Sequence, residues 1–314
     1  MQLSVVVPCH NEEHGLRRLI QRLSEVLPGI STSFEVILVD DGSADGTLIE
    51  MRRLAAQHGW ICYIALSRNF GKEAAMLAGL GRVTGDAVAI MDADLQHPPE
   101  LLADMVPLLA SGFDQVVARR TRDGDPLVRR VSSRFYYRLM DRLADVRIQD
   151  GIGDFRVLSR RAADALLSLP ESNRFSKGLF AWIGFDTATV DYPNVAERTD
   201  GTSRWTMRKL FNYGIDGVLS FNSKPLRLVM HFGAFVAMVA FMYVVWELIR
   251  TAFYGSTTPG YVTLISAVIG IGGLQLLVLG VIGEYLGRIY CETKRRPHFM
   301  VKEAGGPTLK VNVA

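Results

Sequence analysis

The chain has 314 residues, enough for one large domain and a smaller second element. A formal net charge of +3 gives nucleic-acid binding no electrostatic support, so no nucleic-acid partner is expected. The three cysteines, Cys9, Cys62 and Cys291, are scattered and lack CxxC spacing, which argues against a zinc site and against a disulfide framework.

The opening MQLSVVVPCHNEE has no basic leader and meets a proline and acids too early for a signal peptide, which leaves the first domain in the cytosol. LSVVVPC (3–9) is an apolar, β-branched strand. EEHGLRRLIQRLSEVL (12–27) places leucine and isoleucine at helical spacing, with Pro28-Gly29 to end it. FEVILVDD (34–41) is a second strand running into acids, and Asp45 is placed to cap the helix GTLIEMRRLAAQHG. ICYIALS (61–67) is a third strand, GKEAAMLAGLGRV a helix, and AVAIMDAD (87–94) a fourth strand. LLADMVPLLASG reads as a helix interrupted by Pro107, and DQVVARR (114–120) as a fifth strand. This β-α-β-α order predicts an α/β domain over residues 1–203, a mostly parallel sheet with helices on both faces.

RFYYRLMDRL (134–143) is readable as a membrane-surface helix or as a core helix. WTMRKLFNYGIDGVLSF (205–221) interleaves apolar residues with Arg208 and Lys209, so an amphipathic interfacial linker is expected over 204–226. Two runs nearly free of charge follow, about 228–249 and 261–283. At 1.5 Å rise per residue each is long enough for the ~30 Å hydrocarbon core. With the short polar turn TAFYGSTTPG between them they form a transmembrane hairpin (227–287), and a cytosolic tail occupies 288–314. Lys209, Lys224 and Arg227 precede the hairpin; Arg288, Lys294, Arg295 and Arg296 follow it; only Arg250 lies near the turn. The positive-inside rule therefore puts both flanks in the cytosol, for a protein of the cytoplasmic membrane. His231, Glu247 and Glu284 lie near the ends of the runs. Gln275, deeper, reads as a helix–helix hydrogen bond, and GIGG (270–273) as close helix packing.

Ligands of parallel α/β sheets bind beyond the carboxyl ends of the strands. Polar residues collect there: Pro8 to Glu12 after the first strand, Asp40-Asp41-Gly42-Ser43 after the second, Asp92 to Gln96 after the fourth. Two residues apart on a regular strand, Asp92 and Asp94 would face the same way. They repel unless a cation sits between them or one takes a proton. Hard oxygen ligands suit Mg²⁺ or Mn²⁺, and Gln96 can add a neutral oxygen. A dinucleotide fold would need GxGxxG after the first strand, where PCHNEE stands. A Walker loop fails because Glu73 follows Gly71-Lys72. Any nucleotide is therefore held by side chains and a metal.

PCHNEE, VDDGS, RNFGKEAAMLAG, DADLQHPPE, GIGDFRVLSR and the hairpin, in this order, resemble the polyprenyl-phosphate glycosyltransferases. These are family-2 inverting enzymes of GT-A fold. They include dolichol-phosphate mannose synthase and the bactoprenol glucosyltransferases with two C-terminal transmembrane helices. The QxxRW of processive synthases is absent, since Gly201 stands where its Gln would be before Arg204-Trp205. The resemblance implies a nucleotide-sugar donor, with UDP-glucose the first choice, and an undecaprenyl-type polyprenyl phosphate acceptor. It also implies a bilayer-bound enzyme and a homo-tetramer. It assigns Pro8, Asn11, Glu12, Asp40 and Asp41 to the base and ribose, and Lys72 to the nucleotide. Asp92, Asp94 and Gln96 would take Mg²⁺ or Mn²⁺ on the diphosphate, and Arg119 or, by preference, Arg120 a phosphate. Asp154 falls at the base position beside Arg156, and Arg198 lies on a loop over the diphosphate. Arg204 stands where many relatives have Lys, which keeps the charge.

Overall fold

The computed structural model describes residues 1–120, 152–169, 171, 176–192 and 260–306, with scattered positions between 232 and 253. The segment 134–143, Arg198, the linker 204–226 and most of the first apolar run lie outside the described residues. The chain divides into two compact units, Met1–Gly217 with Arg296–Ala314, and Val218–Arg295.

The first unit is built on an eight-stranded sheet: β1 (Leu3–Cys9), β2 (Phe34–Asp40), β3 (Ile61–Leu66), β4 (Ala87–Ile90), β5 (Gln115–Arg120), β6 (Ile152–Ser159), β7 (Thr187–Tyr192) and β8 (Val301–Gly305). Their spatial order is β7-β5-β6-β4-β1-β2-β3-β8. The pairs β1–β2, β1–β4, β2–β3 and β5–β7 are parallel, while β6 and β8 run antiparallel to their neighbours. β1 lies between β2 and β4, with Val5 in register with Val36 and Ala89. Buried along its whole length, it carries apolar residues on both faces, as a strand covered by helices on both sides must.

Alternation along β1 sorts the helices. Leu3, Val5 and Val7 join one core with α1 (Leu16–Ile30), α2 (Thr47–Gln57) and α4 (Leu102–Ala110). Val6 faces the other way, onto Gly79 of α3 (Lys72–Leu80). α5 (Arg160–Leu167) follows β6, its Ser159 cap accepting the Ala162 N–H at 3.2 Å, and α6 is Ser176–Trp182.

Several boundaries differ from the sequence reading. α1 starts at Leu16 because the preceding residues serve a loop, the Glu12 N–H being taken by Thr47 Oγ1 at 2.8 Å. It also runs through Pro28 to Ile30, and α4 is continuous through Pro107. A proline near a helix end removes a single ladder bond, which these helices tolerate. Gly46, not Asp45, is the α2 cap residue, with Asp45 instead accepting the Thr47 N–H at 3.0 Å. β4 ends at Ile90, so Asp92 and Asp94 stand on a turn rather than on a regular strand. Ile152–Ser159 forms a full strand, β6, and part of the C-terminal tail folds as β8. In the second unit α7 (Tyr261–Thr293) is long and apolar enough to cross a membrane, with a mean hydropathy of 1.4 over Gly270–Gly287. The described positions between 232 and 253 are helical.

Two predictions follow from the packing. A Cβ on Gly79 would fall inside the Val6 methyl, whereas one on Gly29 meets nothing within 4 Å. Alanine gains about 1 kcal/mol over glycine in a helix, but overpacking costs about 1–3 kcal/mol. Gly79→Ala should therefore lower the melting temperature while Gly29→Ala holds or raises it. At the opposite end of β5 from the carboxyl edge, the Asp114 carboxylate accepts from Arg161 Nη2 at 2.5 Å and Ser159 Oγ at 2.8 Å. Its hydrogen bonds from Arg161 hold it below the usual carboxylate range. Stability from a depressed carboxyl is present above its unfolded pKa and lost as pH falls through the folded value. Thermal melts of Asp114→Asn should lie below wild type at pH 7, with the gap closing below about pH 4.

Candidate active site

The antiparallel insertion of β6 assembles the site. Ile90, the last residue of β4, is in register with Arg156 of β6. Asp92 follows two residues past the end of β4 and Asp154 lies two residues before Arg156 on β6, so both come to the edge where β1, β2 and β3 also end. Lys72, the first residue of α3, reaches both: its Nζ lies 2.6 Å from Asp92 Oδ1 and 2.5 Å from Asp154 Oδ2. Partial burial works against the ammonium, but the charges of Asp154 and Asp92 outweigh it and raise its pKa well above the usual lysine range. Lys72 is therefore a permanent cation between two carboxylates.

The loop before Lys72 is fixed from beneath. Asp41, 4% exposed, accepts the Phe70 N–H at 2.7 Å and the Gly71 N–H at 2.9 Å. Burial raises its pKa and these two N–H groups oppose the shift. Gly42, at φ +63°, packs so closely on the backbone of Arg68 and Asn69 that a Cβ would overlap it. Asp40 accepts the Ser43 N–H at 3.1 Å and shapes the turn between them. Asn11, at φ +56°, receives the Ala44 N–H on its side-chain oxygen at 2.9 Å and so ties the first loop to the second. Pro8 is buried in β1 opposite Val39. His10 was missed by the sequence reading. Its Nδ1 donates to the Asp41 carbonyl at 3.0 Å, and the Asn69 amide lies 3.2 Å from its Nε2.

After β4 the chain turns sharply at Leu95, φ +57°, and the Gln96 N–H donates to Asp94 Oδ1 at 3.1 Å. That turn brings His97 back: one ligand atom each from Asp92, Asp94 and His97 lies within 4.8 Å of the others. The His97 ring packs on Phe155 at 5.3 Å and Tyr192 at 6.0 Å, and its Nδ1 is buried with no hydrogen-bond partner among the described residues. Burial lowers its pKa, the neighbouring aspartates opposing, so the ring is neutral at pH 7 and can donate a lone pair. Two carboxylates and a neutral imidazole make a donor set that fits a divalent cation. The Gln96 side chain is exposed. His97 sits three residues after Asp94 in the same motif, and only the turn reveals that it belongs with the acids.

The arginines separate. Arg156, 2% exposed, stacks its guanidinium 3.4 Å from the Phe180 ring centroid and donates to the Gly153 carbonyl at 3.0 Å. Burial lowers its pKa to about 10, against the charges of Asp154 and Glu73, so it remains a cation at pH 7. It lies below the surface that carries Asp154. Arg119 is engaged in a two-pronged pair with Asp191, at 2.6 and 2.8 Å. Arg120 ends β5 at the carboxyl edge, in register with Tyr192.

Comparison with known proteins agrees in both units. Residues 4–167 match Glycosyl transferase family 2, and residues 224–289 match the GtrB C-terminal hairpin. The putative glycosyltransferase CsbB of Bacillus subtilis is 49% identical over 97% of this chain and 92% of its own length. The bactoprenol glucosyl transferase of Shigella phage SfX is 37% identical over 96% of this chain and 99% of its own. The prophage bactoprenol glucosyl transferase homolog of Escherichia coli K12 is 36% identical over the same shares. With a mostly parallel GT-A type sheet and acidic residues gathered at its carboxyl edge, the chain belongs to glycosyl transferase family 2 and is a glycosyltransferase.

Proposed function

We propose that the protein transfers a hexose, glucose from UDP-glucose by first choice, to the phosphate of a polyprenyl (undecaprenyl) phosphate at the cytoplasmic membrane. The observation that carries this reading is the match of both units to relatives named bactoprenol glucosyl transferases, at 36–37% identity over nearly the whole chain. The hairpin match and the apolar α7 support an acceptor that stays in the bilayer. The basic residues flanking the hairpin support cytosolic flanks, and the family resemblance supports a homo-tetramer, which light scattering of the detergent-solubilised protein would test.

In this reading Asp92 and Asp94, with His97 and the Gln96 side chain, hold Mg²⁺ or Mn²⁺. Bound there, the cation supplies charge neutralisation for the departing nucleoside diphosphate. Pro8, Asn11, Glu12, Asp40 and Asp41 shape the base and ribose pocket. Asp41 acts largely by ordering the loop that it holds. Lys72 offers its ammonium to the diphosphate while keeping Asp154 in place. Arg120 and Arg198 meet phosphate groups. Arg156 is a positioning residue beneath Asp154, because its buried guanidinium has no route to substrate in this arrangement. The acceptor phosphate, with a second pKa of ~6, arrives mostly ionised. Asp154, already shared with Lys72, therefore orients the nucleophile more than it deprotonates it. Attack opposite the leaving group inverts C1, so an α-linked donor gives a β-linked lipid.

The test incubates the purified full chain with undecaprenyl phosphate, Mg²⁺ or Mn²⁺, and radiolabelled UDP-glucose, UDP-N-acetylglucosamine, UDP-galactose or GDP-mannose, then counts label in the organic phase. Label from UDP-glucose that EDTA abolishes is the expected result; label from another donor reassigns the sugar; none from any donor overturns the reading. Asp92→Asn should lower turnover by about 100-fold or more, and Asp154→Asn by less. A loss for Asp154→Asn that exceeds the loss for Asp92→Asn would instead make Asp154 a true base. Lys72→Ala should fall with Asp92→Asn, since it strands two facing carboxylates.

A further inference from the structure

β8 has no part in the reaction as described above, yet it is firmly built. Residues 294–300 lead from the end of α7 to Val301, and β8 then runs antiparallel along β3. Gly305 pairs with Tyr63, Ala304 with Ile64 and Glu303 with Ala65, and after a bulge Val301 pairs with Leu66. Glu303 makes a two-pronged ion pair with Arg52 of α2, at 2.7 and 2.6 Å. The Tyr63 ring covers Gly305 so closely that a Cβ there would lie 2.6 Å from it. Gly306 takes φ +118°, with Ile61 O placed 2.6 Å from where a Cβ would stand.

The contact of consequence is at the other end. The Ser67 N–H, one residue past β3, donates to the Met300 carbonyl at 2.8 Å. Arg68 to Gly71 follow directly, and then Lys72. This is the loop whose Phe70 and Gly71 amides rest on Asp41 and whose last step places the Lys72 ammonium between Asp92 and Asp154. Asp41 holds the loop near its end. The Met300 carbonyl holds its beginning. Without β8, β3 would be the sheet edge, and edge strands and the loops that leave them are the first parts to open.

We propose that β8, the strand beyond the membrane hairpin, is a clasp on the Ser67–Lys72 loop, with Glu303, Arg52 and Gly306 as positioning residues that set the affinity for the nucleotide donor. The inference rests on the donor reading given above for Lys72. A donor that binds only the ordered loop is weakened in proportion to the fraction of molecules in which the loop is ordered. Loosening the clasp therefore raises the donor KM and leaves the KM for the lipid acceptor where it was.

The experiment uses the full chain in detergent and two independent readouts. Hydrogen exchange followed by mass spectrometry reads the amides of residues 67–72 without any ligand. Steady-state kinetics with UDP-glucose and undecaprenyl phosphate reads the two KM values. Glu303→Arg should speed exchange of the loop and raise the donor KM by up to about fivefold, the range of an exposed ion pair, and adding Arg52→Glu should restore both. Gly306→Val, which the backbone cannot accommodate, should produce a larger change of the same kind. Loop exchange at the wild-type rate in both single variants would overturn the clasp. Faster exchange with an unchanged donor KM, or equal changes in donor and acceptor KM, would overturn its role in donor binding. Wild-type protein that transfers no sugar would sink the proposed function instead, while the exchange data would still decide whether β8 holds the loop.

Discussion

Asp92 and Asp154 are brought together by the backbone, whatever their charges prefer. β6 enters the sheet antiparallel beside β4, so the residues just past β4 and the start of β6, with Asp92 and Asp154, meet at one edge. Two like charges about 4 Å apart near a protein surface repel by about 4 kcal/mol, which a cation between them relieves. Lys72 supplies it, and much of the local architecture serves to deliver that one ammonium. It opens α3, α3 begins where the Ser67–Gly71 loop ends, and that loop lies on Asp41 at the end of β2. A shift in β2 would therefore be felt at Asp154 through Lys72.

The charge balance of this edge explains why it suits a diphosphate with a metal. Asp92, Asp94 and Asp154 together bring three negative charges as carboxylates and Lys72 returns one, which leaves a deficit that a divalent cation fills. His97 is kept neutral by burial among Phe155 and Tyr192, so it adds a ligand atom without adding charge. Arg156 does not enter this balance at the surface. It lies underneath, near Asp154 and Glu73, with its guanidinium on the Phe180 ring, where a cation gains from the ring face.

Much of this was legible in the sequence because it is local. The parallel strands announce themselves as short apolar runs ending in acids, and the motifs PCHNEE, VDDGS and DADLQHPPE fall at the strand ends that chain order predicts. β6 was harder. IGDFRVLS carries Gly153, Asp154 and Arg156 among its apolar residues, so the usual apolar signature is interrupted even though Phe155, Val157 and Leu158 are buried. β8 was not legible at all: Val301-Lys302-Glu303-Ala304-Gly305 has little β-propensity and is a strand only because β3 offers it an open edge. The Asp92–Asp94 pair was read correctly as a cluster by the wrong route, since the strand has already ended at Ile90 and the turn at Leu95, not strand parity, gathers them with His97.

The same geometry bears on how much base catalysis the proposed reaction needs. The Asp154 carboxylate already has a proton donor, the Lys72 ammonium, as its partner at 2.5 Å. It would serve poorly if the nucleophile were an alcohol, which must lose its proton as it attacks. A lipid monophosphate brings its own negative charge, and the difficulty moves to the opposite problem: an anionic acceptor must approach an anionic donor. Neutralisation then matters more than deprotonation, and a site built on a fixed lysine and two aspartates that fit a divalent cation answers that problem better than it would answer the first. The arrangement is therefore better matched to a phosphate acceptor than to a hydroxyl, on electrostatic grounds that do not depend on which sugar is transferred.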